Sequence, residues 1–127
     1  MRRLPPVVLA CLAASLLAGC GADDESSAVP RARNTVVMSD YEFHPRDVRV
    51  RRGETLTIVN DGGIAHNLKV ERGPDPRKET DELAGTTSFL KGDSEQLKID
   101  LTPGKYVLVC SVPGHREIGM TGTLTVR

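Results

Sequence analysis

Tryptophan is absent from this sequence, and two tyrosines and two phenylalanines are the only aromatics in 127 residues. So thin an aromatic complement argues against a base-stacking platform for single-stranded nucleic acid. Neither sign of charge predominates, since 17 basic residues balance 17 acidic ones. The basic stripe of a nucleic-acid footprint is therefore missing too. Histidine and methionine are scarce, at three each, so there is no Met- or His-rich arm for handing metal onward. The length allows one domain with a modest core and no second catalytic domain. No apolar run reaches the roughly 20 residues that a membrane-spanning helix needs.

What is present begins with an address. Met1-Arg2-Arg3 gives a short positive start, and Val7 to Ala18 is apolar except for Ser15. These are the charged n-region and apolar h-region of an export signal. Pro5 and Pro6 argue against a buried N-terminal helix. Leu17-Ala18-Gly19-Cys20 resembles a bacterial lipobox, which implies cleavage before Cys20 and lipid on that residue. The alternative is ordinary secretion with Cys20 free. The following residues, through Pro30, are small, polar and acidic, as a flexible tether should be. The expected organisation is a signal peptide over 1–19, a lipidated Cys20 with its tether over 20–34, and a folded domain over 35–127. Loss of Arg2 and Arg3 with the signal leaves 15 basic against 17 acidic residues. A balance so mild favours apolar docking over electrostatic steering.

Export sorts the three cysteines. Cys11 falls in the discarded segment and Cys20 is assigned to lipid, so Cys110 alone remains in the folded body. A lone thiol in an oxidising compartment is no structural disulfide and needs another reason to be there.

From Thr35 onward, short alternating apolar runs are separated by turn signals. Expected strands cover 35–38, 41–43, 47–50, 55–59, 66–70, 97–101, 105–110 and 121–126. Seven or eight such runs, with Asn60-Asp61-Gly62-Gly63 and Thr102-Pro103-Gly104 as turns, predict an all-β, antiparallel Greek-key sandwich or barrel. The stretch 71–95, rich in Pro, Gly and charge, is expected to be mostly solvated loop, with a brief helical turn over 80–84. Met38 is expected in the core, and His44 at the surface without a ligand role.

The C-terminal region holds Cys110-Ser111-Val112-Pro113-Gly114-His115-Arg116-Glu117-Ile118-Gly119-Met120, a C-x4-H-x4-M pattern. Upstream, Ile64-Ala65-His66-Asn67 supplies a second histidine beside the Gly62-Gly63 turn. One loop between two strands can deliver thiolate, imidazole and thioether to a point, with His66 approaching from a neighbouring loop. Two imidazoles, a thiolate and a weak thioether form the ligand set of a blue-copper electron-transfer site. Taken singly, each residue has a bland reading: Cys110 and Met120 as core, the histidines as ordinary polar residues. The four in register favour a metal, and structural zinc would prefer Cys and His without Met.

Residues 35–127 resemble the cupredoxins, the plastocyanin/azurin superfamily, with ligand gaps most similar to the rusticyanin and sulfocyanin type. The resemblance also runs through Tyr41-Glu42-Phe43-His44-Pro45 and Arg52 to Asn60. It implies one copper ion held by His66, Cys110, His115 and Met120. It further implies that Asn67 ties the ligand loops together and helps hydrogen-bond the thiolate, with the Val112 N–H as a second donor. Around His115, the apolar ring where partners dock would be Pro113, Gly114, Ile118 and Ile64. Ala65 stands where azurins have a glycine, so the resemblance does not extend to a fifth ligand. The function implied is a membrane-tethered one-electron carrier and not an enzyme, since a saturated site leaves no position for substrate. It would act as a monomer at the outer face of a bacterial cytoplasmic membrane or in the periplasm. Its partners would be redox proteins such as a cytochrome, oxidase or reductase. Two alternatives remain open: a copper chaperone or scavenger of the cell envelope, and a metal-free adhesive or structural lipoprotein.

Overall fold

The structure, a computed structural model, describes residues 33–127. The expected signal peptide, Cys20 and most of the tether lie outside the described residues. Within them, the chain forms nine strands: β1 (Thr35–Ser39), β2 (Glu42–His44), β3 (Asp47–Val50), β4 (Thr55–Asn60), β5 (Lys69–Glu71), β6 (Glu82–Gly85), β7 (Ser94–Lys98), β8 (Gly104–Val109) and β9 (Thr121–Val126). No helix among the described residues is long and apolar enough to cross a membrane.

Two sheets form a sandwich, ordered β2-β1-β4-β7 and β3-β9-β8-β5-β6. Side chains alternate across each strand, so Val36 and Met38 of β1 and Leu56 and Ile58 of β4 point inward from the first sheet. Val48 and Val50 of β3 and Leu124 and Val126 of β9 answer from the second. The fully buried Met38, Leu56, Ile58, Leu68, Leu108 and Leu124 lie at the centre. Each large apolar side chain so buried stabilises the fold by about 2 kcal/mol. An exposed ion pair such as Arg52–Asp100 contributes far less, because water and salt screen it. The core therefore fixes the frame.

The all-β sandwich agrees with the sequence reading, but its pairing is not all antiparallel. β1 runs parallel to β4, and β3 parallel to β9. Alternation reports which face is buried and is blind to strand direction. The ninth strand, β6, replaces the helical turn expected over 80–84; it pairs antiparallel with β5 at the sheet edge. The run expected over 97–101 starts earlier, at Ser94, and its pairing stops at Lys98. Ile99 stays buried beyond the strand because its N–H and C=O bond the backbone of Glu54 and Gly53.

Parallel pairing of β1 with β4 has a consequence for chemistry. It sets Met38 opposite Asn60, so both strands end together. The β1–β2 turn, Asp40-Tyr41, thus meets the loop that follows β4, where the backbone N–H groups of Asp61 and Gly62 donate to the Met38 carbonyl.

Candidate metal centre

His66 sits on the loop after β4 and is held from both sides. Its backbone exchanges two hydrogen bonds with Phe89, at 3.3 and 3.1 Å. The buried Asn60 side chain braces the same loop, donating to the carbonyls of Ile64 and Phe89 and accepting from the Gly62 N–H at 2.8 Å. Cys110 directly follows β8, and Met120 directly precedes β9. The Cys110 N–H donates to the Met120 carbonyl, and the Met120 N–H to the His115 carbonyl. Between them the chain folds into tight turns. Gly114 and Gly119 take left-handed φ values of +86° and +97° there, which a side chain would disfavour. Arg46 closes the loop by donating to the carbonyl of Thr121.

This scaffold brings His66, Cys110 and His115 into one buried cluster. The two Nδ1 atoms are 3.2 Å apart, and Cys110 Sγ lies 3.4 Å from His115 Nδ1 and 3.9 Å from His66 Nδ1. Such a triangle has a central point about 2 Å from every corner, in the range of a first-row metal bond to imidazole and slightly short for thiolate. A soft sulfur with two imidazole nitrogens suits copper. Met120 is fully buried. Cys110 is the free cysteine among the described residues.

The surroundings set the charge of the cluster. Burial pushes the Cys110 thiol up, opposed by the backbone N–H groups of Asn67 and Val112, which face its sulfur. Burial, then the neighbouring His66, holds His115 below the ordinary imidazole value. Asn67 bridges the two loops: its Oδ1 accepts from the Ser111 N–H at 2.8 Å, and its Nδ2 donates to the hydroxyls of Ser88 and Ser111. Pro113 and Gly114 are exposed, as are Ile64 and Ile118, the latter at 60%.

The model of the family described as copper binding proteins, plastocyanin/azurin family, matches residues 31–127. The chain belongs to that family. It is a cupredoxin, and the His66, Cys110 and His115 cluster fits its single copper ion. A chloroplastic plastocyanin of Physcomitrium patens is 34% identical over 85 residues, covering 66% of this chain and 49% of the relative. The copper-resistant cuproprotein CopI of Rubrivivax gelatinosus is 32% identical over 106 residues, 72% of this chain and 64% of that one. The cupredoxin thus spans about half to two thirds of the length of these relatives. Among solved structures, the dithionite-reduced auracyanin of Roseiflexus castenholzii shares the fold, with a TM-score of 0.62 and 22% identity over 73% of this chain and 94% of that one.

Several residues around the cupredoxin site escaped the sequence reading. Tyr41 sets its ring edge-on against both imidazoles, with centroids 6.3 Å from His66 and 5.2 Å from His115. Asp40 lies 3.3 Å from His66 Nε2. Asn60 was visible in a turn signal and at the end of the Arg52–Asn60 stretch of the resemblance, with no role in the site. Glu71, expected on a solvated loop, is instead 4% exposed, because its carboxylate forms a two-point pair with Arg116 at 2.6 and 3.0 Å. His44 is half-buried, with its ring bonded to the Ser39 hydroxyl and 3.3 Å from Glu42, outside the cluster. Met38 is fully buried in the core.

Proposed function

We propose that this cupredoxin is an exported, membrane-tethered one-electron carrier whose type 1 copper would be held by His66, Cys110 and His115, with Met120 as a weak fourth donor. The buried triangle of one sulfur and two Nδ1 atoms carries the reading. Copper bound there supplies a centre that gains and loses one electron. The chain's own residues do the rest. The two sheets and the bonded ligand loops hold the donors in place, so little need rearrange between oxidation states. Asn67 and Val112 stabilise the thiolate through their N–H groups, and the buried position excludes water. His115 is 6% exposed where His66 is wholly buried, which makes it the expected exit edge toward a redox protein docked on Pro113, Gly114, Ile118 and Ile64. A carrier of this kind is no enzyme, because four protein ligands leave substrate no position. The n- and h-regions and the Leu17–Cys20 motif support export and a lipid anchor on Cys20.

The similarity to a copper-resistant cuproprotein favours a second reading, in which the chain stores or passes on copper. Voltammetry separates the two. The carrier is expected to give a reversible one-electron wave and to keep its copper against a chelator. Rapid copper loss with no reversible wave overturns the carrier.

Two variables tune the site. Met120→Leu is expected to keep the colour and raise the reduction potential, since an electron-rich thioether donor would favour Cu(II). An unchanged potential would show that Met120 does not donate to the copper. Acid is expected to release copper. The Cys110 thiol, pushed up by burial, holds its proton at neutral pH in the metal-free protein, whereas His115 enters neutral. Copper uptake at pH 7 should therefore release about one proton, and affinity should fall as pH falls. Calorimetry in buffers of different ionisation heat checks this; uptake without proton release contradicts it.

A further inference from the structure

The two-residue turn between β1 and β2 aims at one ligand. His66 is fully buried, and its ring has two ends. Nδ1 faces Cys110 and His115, while Nε2 lies 3.3 Å from Asp40 Oδ1. That same oxygen accepts the Gly63 N–H at 2.8 Å, so the carboxylate is held where it meets the ring. The space for the contact exists because residue 62 is glycine. A Cβ there would stand 2.6 Å from Asp40 Oδ1 and 2.7 Å from His66 Nε2. Beside Asp40, Tyr41 adopts φ +68°, an uncommon conformation for a residue with a side chain. Backbone in that region persists where its surroundings hold it, and here the ring stands edge-on to both imidazoles.

We propose that Asp40 is the positioning residue for His66, holding the Nε2–H so that Nδ1 points at the metal and setting a fixed negative charge against that ligand. A carboxylate that accepts the outer N–H of a ligating histidine fixes its tautomer and raises its basicity. The negative charge favours Cu(II) over Cu(I), so Asp40 lowers the reduction potential. The inference deepens the copper reading and rests on His66 being a ligand.

The experiment compares the wild-type chain with Asp40→Asn and Asp40→Ala, using Cu(II) and Cu(I) ions as probes and nitrogen NMR of the copper-free protein at pH 8. Asp40→Asn keeps an oxygen for Nε2–H and removes the charge. It should retain the colour and lose about tenfold in Cu(II) affinity relative to Cu(I), a rise of about 59 mV for one electron. Asp40→Ala removes the acceptor as well, and Cu(II) affinity should fall about 10–100-fold. In the copper-free wild type, His66 should carry its proton almost wholly on Nε2, and Asp40→Ala should relax it toward the ordinary tautomer mixture, with a measurable share on Nδ1. Wild-type affinity and potential in both variants overturn the proposal, as does a copper-free wild type protonated on Nδ1. If Asp40→Ala fails to fold, Asp40→Asn and the wild-type spectrum still decide. A wild-type protein without a reversible potential would sink the electron-carrier reading alone, because affinity and tautomer report on Asp40 independently.

Discussion

Cys110→Ser is expected to abolish the intense colour of the copper-loaded protein and to weaken Cu(II) binding by more than about 100-fold, an effect comparable to losing the strongest ligand of the set. A hydroxyl at this position is far less acidic than a thiol and supplies no soft anionic donor. The fold should survive. The serine oxygen replaces sulfur in a fully buried position beside His115 Nδ1 and the N–H groups of Asn67 and Val112, so it finds hydrogen-bond partners. A satisfied buried hydroxyl costs only about 1–2 kcal/mol. Absorption spectra with thermal melts separate the two effects. A variant that stays coloured would remove Cys110 from the site.

Glu71→Ala is expected to destabilise the domain by about 3–5 kcal/mol, because it strands a buried guanidinium without its counter-charge. The Glu71 and Arg116 side chains are only 5% and 11% exposed. The carboxylate beside Arg116 raises the guanidinium pKa further, the main cause being the hydrogen bonds between them. Arg116 also donates to the carbonyls of Pro76 and Lys78, so one cation ties the 72–80 segment to the ligand loop. His115 is its neighbour in sequence, so the loss should loosen copper as well. For a domain of this size the melting temperature should drop by more than about 12 °C. Asp100→Asn, which breaks the exposed Arg52 pair, is the control and should leave the melting temperature close to that of wild type. A Glu71→Ala melt within about 2 °C of wild type would show that the pair is not a structural clamp.

These two residues mark how far the sequence could be read. Cys110, His115 and Met120 lie on one loop, so their spacing alone brings them near a common point. His66 was legible because a histidine beside a glycine turn fits the same donor set. Asp40 was not, since it meets His66 across 26 positions only through the parallel register of β1 on β4. Glu71 and Arg116 are 45 positions apart, and a charged run looks solvated until its partner is known. The alternation of Val36, Met38, Leu56 and Ile58 announced buried faces, and those faces built the sandwich. Strand direction left no such mark. β6 was hidden for a related reason: Glu82-Leu83-Ala84-Gly85 has no β-branched residue and no clean alternation, and becomes a strand only by pairing with β5.

The visible spectrum of the purified chain loaded with one equivalent of Cu(II) tests the copper-carrier account most directly. An intense blue colour, bleached by a reductant and restored by an oxidant over repeated cycles, is the expected result. A colourless or faintly tinted complex, or one that bleaches and does not recover, would contradict it.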